Sequence, residues 1–576
     1  MTNKRIQWLA AAVLLLCTAW PMLAQAQLTP ADIERANRDA ERIQREEMIR
    51  QREDAQRNLQ NKRAPAQIQL PDAPVPNGTG EGCRDIKTVK ITDAPRMSKR
   101  AMSRITGKYG NKCLGVAEIQ ALLGEVTAYY INKGYSTTRA YLPAQDLSTG
   151  TLTIQVVEGT LKKVELDEKN RGTLFIPGAF PFVNDRVLNL RDIEQGLDQV
   201  NRLQSNNASI DIVPGAKVGE STIVVRNEPG KRWHLNLGAD NYGTKSTGRY
   251  QGSATVSYDN LLHLNEFYSY TRRQTIPTDG DGRFTRSNSA LFSVPFGYST
   301  VTAGYSDSEY SSTLVTPSAL SVDLDGTTRS AFIMADRVVY RDKTTKGTLT
   351  ASLTRKDNKN YVQNALLTVS SHTLSVLDLG GNISTRIGDD TLTCTVGYSR
   401  GLDAFGAEDD LNGLPGSAPR AQFERVTLAA SLNHPFRFRG NDMMWSSQLS
   451  SQYALDALFG SEQFSLGGVY TVRGFYEDTL ANDHGFYIRN DLAMPRTVAG
   501  PGGRSLLVKP YLAVDGGAVG GRAAGTPAGT LIGAAAGLSL SLGTASFDAY
   551  IGHPIVAPDA LNTDDFNGFA RLSVNF

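Results

Sequence analysis

The stretch FARLSVNF, residues 569–576, ends the chain, and from Ala570 onward its apolar and polar side chains alternate strictly. Successive side chains of a β-strand point to opposite faces, so this stretch has one apolar face and one polar face. The apolar face comprises Ala570, Leu572, Val574 and Phe576, and the polar face comprises Arg571, Ser573 and Asn575. Such a strand suits a boundary between an apolar phase and water.

Segments of the same kind recur throughout residues 231–576 and are separated by Gly, Asn and Asp. Three examples are WHLNLGA (233–239), YQGSATVSY (250–258) and SFDAYIGH (546–553). A membrane-spanning strand takes about 9 to 11 residues, so this span accommodates about 16 strands with their connections. A soluble sandwich also alternates, but it needs fewer residues. We therefore predict an all-β transmembrane barrel of about 16 antiparallel strands over residues 231–576.

Residues 1–26 have the features of an export signal. Two basic residues near the start precede the apolar run 8–19, and Ala24 and Ala26 fit the small-x-small cleavage pattern. The run is too short to span a membrane as a helix, and no later apolar run reaches about 18 residues. An exported chain without a helical span is either soluble or a β-barrel.

Composition and cysteine content restrict the possible partners. The 576 residues carry a formal net charge of +2 with 20% charged residues, which favours neither nucleic acid nor any strongly charged partner. Cys83 and Cys113 lie close in sequence, and in an oxidising compartment we expect them to form a disulfide. Cys394 is then unpaired, and we expect it to be a small apolar residue that is buried or faces lipid.

Residues 27–60 are predicted to form a polar helix. Thr29 is a suitable N-cap, and acidic and basic residues recur in (i, i+4) pairs that stabilise a helix without tertiary contacts. These pairs include Glu34 with Arg38, Glu41 with Arg45, and Glu46 with Arg50. The larger apolar residues form no continuous stripe, so the helix is either a solvated spacer or coiled coil, or a rod in a water-filled lumen.

Two similar modules follow a linker. Residues 61–82 contain four prolines and no periodicity, which predicts a semi-rigid, extended linker. In residues 83–160 the apolar pattern predicts the order strand, helix, helix, strand, strand, and residues 161–230 repeat this order. Each module is therefore predicted to be a small α/β domain.

This order of segments resembles the outer-membrane transporters of two-partner secretion, the TpsB family of filamentous-haemagglutinin and haemolysin exporters. Residues 111–159 and 179–215 are similar to the two POTRA modules of that family. The stretch VRGF is similar to the signature of the family's long sixth loop, and it comprises Val472, Arg473, Gly474 and Phe475. The stretch DGG, from Asp515 to Gly517, is similar to the Asp-x-Gly motif of the barrel wall, although Ala513 stands where an aromatic residue is frequent.

The resemblance implies a latch inside the barrel. The loop that carries Arg473 is expected to fold back into the lumen, where the guanidinium pairs with the carboxylate of Asp515. Gly474 is expected to permit a tight turn, and Phe475 is expected to pack the loop tip. Gly517 belongs to the same wall motif as Asp515.

The resemblance also implies a function. The POTRA modules are expected to capture an unfolded exoprotein of the haemagglutinin, haemolysin or adhesin type in the periplasm by β-augmentation. The barrel, embedded in the outer-membrane lipid of a Gram-negative bacterium, is expected to secrete this exoprotein while helix 27–60 leaves the lumen as a removable plug. A barrel-assembly insertase, a passive porin or receptor, and a soluble adhesin are the alternatives.

The sequence gives no indication of an enzyme. The six histidines have no metal-ligand spacing, and neither a nucleophile elbow nor a phosphate-binding P-loop occurs. We therefore expect no catalytic site, metal, cofactor, nucleotide or nucleic acid. Without a nucleotide, the folding of the exported client outside the cell is expected to drive transport.

Overall fold

The computed structural model describes most of the chain after residue 81 and three short stretches before it. The described residues are 32–33, 36–45, 68–69, 82–170, 172–181, 186–217, 219–276, 282–315, 321–476, 479–522, 527–559, 561 and 563–576. The expected export signal 1–26 and most of the linker 61–82 lie outside these residues. The same holds for four residues of the expected plug helix: Thr29, Glu34, Glu46 and Arg50.

The first module packs two helices against a small mixed sheet. After the two-residue strand β1 (Ile68–Gln69), its elements are β2 (Arg84–Ile86), β3 (Thr88–Thr92), α1 (Lys99–Tyr109), β4 (Lys112–Leu114), α2 (Val116–Asn132), β5 (Arg139–Tyr141) and β6 (Thr151–Val157). Strand β6 lies at the centre of the sheet, parallel to β3 and antiparallel to β5. Ser98 caps α1 by accepting a hydrogen bond from the amide of Ala101. Ile105, Leu122 and Tyr130 belong to the core between helices and sheet.

A disulfide joins Cys83 to Cys113, with 5.4 Å between the two α-carbons. Cys83 immediately precedes β2, and Cys113 lies in β4, which pairs with β2 as a two-stranded antiparallel sheet. Because β4 lies between α1 and α2, the disulfide ties the entry of the first module to the connection between its helices.

The second module repeats this architecture with a larger sheet. Its elements are β7 (Thr160–Leu166), α3 (Ile176–Ala179), β8 (Arg186–Val187), α4 (Leu190–Asn201), β9 (Ala208–Pro214) and β10 (Glu220–Asn227). The sheet order is β1-β9-β10-β7-β8, so two linker residues form an edge strand parallel to β9. Ile193, Leu197 and Val200 of α4 lie in the core, as their helical spacing predicts. No helix in the described part of the chain is both long and apolar enough to cross a membrane.

The remainder of the chain forms a closed barrel. The strands are β11 (Trp233–Asp240), β12 (Gln251–Asp259), β13 (Phe267–Thr275), β14 (Phe284–Phe296), β15 (Ser299–Val315), β16 (Ser321–Arg341), β17 (Thr345–Val362), β18 (Ala365–Leu366), β19 (His372–Ile387), β20 (Asp390–Leu402), β21 (Glu424–Phe438), β22 (Asn441–Ala454), β23 (Phe464–Leu466), β24 (Leu480–Asn482), β25 (His484–Ala493), β26 (Arg496–Ala499), β27 (Ser505–Gly520), β28 (Gly529–Leu542), β29 (Ala545–Val556) and β30 (Asn567–Asn575). Strands β23 and β24 form a separate hairpin, and β18 and β26 are short additions beside longer strands. The other 16 strands are antiparallel to their neighbours, and β30 pairs with β11 to close the ring. The predicted barrel is therefore confirmed.

Inward and outward side chains alternate along the barrel strands, as the period of two requires. On β13, Thr271 and Arg273 point inward and are buried, whereas Tyr270 points outward and is exposed. Exposed apolar side chains on other strands include Leu237, Val256, Ile333, Leu349, Val396, Trp445, Leu512 and Ile551. Cys394, a free cysteine, lies two residues from Val396 on β20 and so shares its outward face.

The second module is docked on one end of the barrel. The side-chain amide of Gln199 in α4 donates to the carbonyl of Gly297 in the turn between β14 and β15, at 3.0 Å. Arg341, at the end of β16, donates to Asp198 at 2.7 Å. Arg202 is half-buried at the same contact, where it donates to the backbone carbonyl of Ser293 at 3.2 Å. Loss of hydration lowers the pKa of its guanidinium to about 10, so it is still charged at neutral pH. These contacts define the end of the barrel that faces the two modules.

Candidate functional site

The connection between β22 and β25, residues 455–483, is a long loop that folds back into the barrel. Four of its residues belong to one buried apolar cluster, namely Leu466, Val472, Phe475 and Leu480. The same cluster contains Val519 of β27 and Leu531 of β28, whose side chains point inward. Apolar packing therefore holds this loop against the inner wall.

Arg473, at the tip of this loop, is held by Asp515 of β27. The Nε atom lies 2.6 Å from Oδ2 and the Nη2 atom lies 2.7 Å from Oδ1, while the backbone amide donates to Oδ2 at 3.1 Å. Only 3% of Arg473 and 1% of Asp515 are exposed to solvent. A bidentate arginine–carboxylate contact shielded from water is strong and directional. The fold thus brings together the two residues that the resemblance pairs.

Asp491 of β25 is a second partner of Arg473 that was not predicted from the sequence. Its Oδ1 atom lies 2.7 Å from the Nη1 atom of Arg473. On the same strand, Arg489 stands opposite Asp515 in the ladder, with 4.0 Å between Nε and Oδ2. The site therefore contains two arginines and two aspartates, so its charges balance. No motif marks Asp491, because its role depends on the register between β25 and β27.

Glycines allow the loop backbone to reach the wall. Gly474 has a φ of 104°, in the left-handed region that favours glycine. A β-carbon at Gly552 of β29 would lie 2.7 Å from the amide nitrogen of Gly474, and one at Gly533 of β28 would overlap the carbonyl oxygen of Arg473. A glycine inside a strand is a sign of close backbone approach. Gly533 and Gly552 could therefore have been found in the sequence.

The other motif residues pack the loop tip. Val472 and Phe475 are fully buried. Gly517 leaves room for Leu466 of the loop, whose Cδ1 atom is 2.6 Å from the position of a β-carbon there. Tyr476, directly after the motif, donates from its hydroxyl to a backbone carbonyl in the loop after β11, at 2.5 Å. The tip is thus fixed by packing as well as by charge.

The N-terminal helix, residues 36–45, lies inside the barrel. Ala36, Ala40 and Ile43 are buried on one face of it. This face packs against inward side chains of three neighbouring strands, namely Tyr310 of β15, Leu324 of β16 and Val362 of β17. The prediction that this helix has no apolar stripe was therefore wrong. Two of the three stripe residues are alanines, whose short side chains allow close approach to the wall without a conspicuous apolar pattern.

Polar contacts join this helix to both the wall and the loop. Gln44 donates to the side-chain oxygen of Asn360 on β17 at 2.8 Å. Arg45 donates to the carbonyl of Gly460 in the loop at 2.9 Å. Three residues of the predicted ion pairs lie in the described segment: Arg38, Glu41 and Arg45. The helix therefore occupies the lumen together with the loop.

Two POTRA-like modules, a closed barrel and a lumenal loop latched by an arginine define a class of outer-membrane protein transporter. The sequence matches the family model of the haemolysin secretion/activation protein ShlB/FhaC/HecB over residues 219–540. It also matches the ShlB-type POTRA domain over residues 85–159 and a POTRA domain over residues 160–214. The chain belongs to the ShlB/FhaC/HecB family, as the resemblance indicated.

Relatives and solved structures agree with this assignment. The outer membrane transporter CdiB of Escherichia coli strain 536 is 32% identical over 90% of this chain and 87% of its own length. The hemolysin transporter protein HpmB of Proteus mirabilis is 29% identical over 94% of this chain and 96% of its own. The structure of CdiB from Escherichia coli covers 96% of this chain and 100% of its own, with a TM-score of 0.82 and 31% identity.

The family places the protein in the outer membrane as a two-partner secretion transporter, with its POTRA domains in the periplasm. The barrel end that contacts α4 is therefore the periplasmic end. The loop 455–483 starts and finishes at the opposite, extracellular end and descends into the lumen. In the described ranges, no group of three His, Cys, Asp or Glu side chains is arranged to hold a metal ion.

Proposed function

We propose that the protein captures an unfolded exoprotein in the periplasm and secretes it through the barrel while the N-terminal helix leaves the lumen. The observation that carries this proposal is the occupation of the lumen by two separable elements, the helix 36–45 and the loop 455–483. Both elements are held by side-chain contacts rather than by strand pairing with the barrel. Each can therefore move while the barrel stays closed.

The exoprotein is of the type that the relatives carry. HpmB is named as a hemolysin transporter, and we extend that substrate class to a haemagglutinin, haemolysin or adhesin type of partner for this chain. The barrel is surrounded by outer-membrane lipid, which suits its exposed outward apolar side chains. The function requires no catalytic site, cofactor, nucleotide or nucleic acid, because folding of the exoprotein outside the cell supplies the drive.

The first module offers an edge for the exoprotein. Strand β5 pairs with β6 on one side and ends the sheet on the other. Tyr141 of β5 and the following Leu142 are exposed apolar side chains beside this edge. An extended peptide can add to such an edge through backbone hydrogen bonds, while apolar side chains contribute affinity. Capture by β-augmentation is therefore assigned to β5.

The second module holds the first module near the entrance of the barrel. The backbone amide of Leu190 in the second module donates to the carbonyl of Gly134 in the first at 2.7 Å. Gln199 and Arg202 donate to backbone carbonyls of the barrel, and Arg341 of the barrel donates to α4, so the second module is fixed at the periplasmic end. A peptide bound at the first module is thereby kept close to the pore, which raises its effective concentration there.

The direct test removes the two modules. A chain that lacks residues 83–230 is expected to insert as a barrel, seen as heat-modifiable gel mobility, but to release no exoprotein into the medium. The full-length chain, expressed with the same exoprotein at the same level, is the control. Normal release by the shortened chain would contradict capture by the modules.

A further inference from the structure

A second group of buried charges holds the loop 455–483, away from the Arg473 latch. Glu462 lies in a short 3-10 turn of the loop, Gly460–Glu462. Its Oε1 atom is 2.5 Å from the Nζ atom of Lys356 on β17, and its Oε2 atom is 3.0 Å from the Nη1 atom of Arg425 on β21. Arg425 also donates to the backbone carbonyl of Glu462 at 2.9 Å. We call these three residues the Glu462 cluster.

The Glu462 cluster is shielded from solvent. Glu462 is 2% exposed, Lys356 is 5% exposed and Arg425 is 8% exposed. Breaking a buried ion pair by separating its members is strongly unfavourable. If the turn moved away, Lys356 and Arg425 would lose the carboxylate that lies between them. The cluster therefore opposes displacement of the turn, independently of the contact between Arg473 and Asp515.

The same turn supports the N-terminal helix. Arg45 of the helix donates to the carbonyl of Gly460 at 2.9 Å. The carboxylate of Glu41 lies so close to Gly460 that a β-carbon at this position would overlap it. Gly460 therefore leaves room for the Glu41 side chain, which a larger residue at this position would displace.

Strand β17 connects the two contacts. It carries Lys356, which binds the turn, and Asn360, which accepts a hydrogen bond from Gln44 of the helix at 2.8 Å. Residues four apart on a strand share a face, so both side chains point into the lumen. The helix is thus held between β17 and a loop turn that is itself anchored to β17.

We propose that Glu462 is a positioning residue which, through Lys356 and Arg425, fixes the turn 460–462 as the seat of the N-terminal helix. Retention of the helix in the lumen then depends on the Glu462 cluster as well as on the helix's own contacts. This inference rests on the proposed function, in which the helix leaves the lumen during secretion.

The test uses the full-length chain in planar lipid bilayers, where an empty lumen conducts ions. In Glu462→Gln the two cations lose a charged partner, and contacts to charged groups are worth enough to change an equilibrium about tenfold or more. We therefore expect the fraction of time in the conducting state to rise by about this factor. Gly460→Ala is expected to act in the same direction, because the added methyl group displaces Glu41.

A conservative variant separates positioning from general damage to the fold. Glu462→Asp keeps a carboxylate between Lys356 and Arg425 and is therefore expected to conduct less than Glu462→Gln. The matched control is Asp442→Asn, which removes one member of the surface ion pair between Arg437 and Asp442, 80% and 68% exposed. Conductance of this control is expected to equal that of the wild type.

The outcomes distinguish this inference from the proposed function. Wild-type conductance in Gly460→Ala, or in a Glu462→Gln variant with normal heat-modifiable mobility, would overturn the role of the cluster. So would a Glu462→Asp variant that conducts as much as Glu462→Gln. Deletion of residues 27–60 is the reference for an empty lumen. If that deletion does not raise conductance, the helix is not a plug. The part of the proposed function in which the helix leaves the lumen then fails.

Discussion

Replacing Arg473 by alanine removes the arginine from the buried latch and leaves Asp515 without its main partner. The two side-chain contacts with Asp515, at 2.6 and 2.7 Å, disappear, and so does the contact with Asp491 at 2.7 Å. The backbone amide still donates to Asp515, and Arg489 is still 4.0 Å from it. The negative charge of Asp515 therefore loses most of the hydrogen bonds and positive charge that stabilise it, but not all of them.

These contacts determine the free energy that the substitution is expected to cost. Removing one partner of a buried ion pair costs about 3 to 5 kcal/mol, and the remaining contacts of Asp515 favour the lower end, about 3 kcal/mol. Since about 1.4 kcal/mol corresponds to a factor of ten, the ratio of latched to unlatched loop is expected to fall about 100-fold. Arg473→Lys keeps the charge but loses the two-pronged geometry, so a smaller effect is expected.

The assay compares exoprotein in the medium with transporter in the outer membrane. We expect Arg473→Ala to reduce secretion at near-normal transporter levels, and Arg473→Lys to reduce it less. Arg437→Ala, which alters an arginine in an exposed ion pair, is the matched control and is expected to secrete normally. Unchanged secretion by Arg473→Ala would show that the latch does not contribute to transport.

Three further predictions concern the disulfide, the loop tip and the contact between α4 and the barrel. Loss of the disulfide in Cys113→Ser is expected to destabilise the first module by about 3 to 4 kcal/mol, because the bond closes a loop with a sequence separation of 30. Proteolysis of this module in the full-length chain is expected to be faster, and an unchanged rate would contradict this prediction. Gly552→Val is expected to keep the loop tip off the wall and to reduce secretion as Arg473→Ala does, whereas Val519→Ile, a change within the apolar cluster, is expected to have a lesser effect. Arg341→Ala removes the contact with Asp198 at 2.7 Å and is expected to increase protease cleavage between the second module and the barrel; equal cleavage rates would show that this contact does not hold α4.

The barrel could be predicted from the sequence because the alternation of side chains that produces it is a local pattern. Each strand separates lipid from a wet lumen, so alternation is visible within a few residues, as in the stretch 569–576. The module helices were visible for the same reason, since residues such as Ile193 and Leu197 recur at helical spacing on a buried face.

The candidate site could be predicted only in part. Arg473 and Asp515 were identified through a motif resemblance, and no local pattern pairs two residues that are 42 positions apart. Asp491 and the Glu462 cluster were missed because strand register and loop path decide their partners. The apolar face of the N-terminal helix was missed because alanine contributes little to an apolar pattern, although it packs well against a wall.

The N-terminal helix is proposed to occupy the lumen at rest and to leave it during secretion. Covalent attachment of the helix to the wall tests this: cysteines are placed at Gln44 and Asn360, which share a hydrogen bond of 2.8 Å, in a Cys394→Ser background, and are joined by a photocleavable bifunctional thiol reagent that leaves the Cys83–Cys113 disulfide intact. We predict that the joined protein secretes no exoprotein, that illumination restores secretion, and that either cysteine alone secretes normally after the same treatment. Full secretion by a completely joined protein would contradict the account.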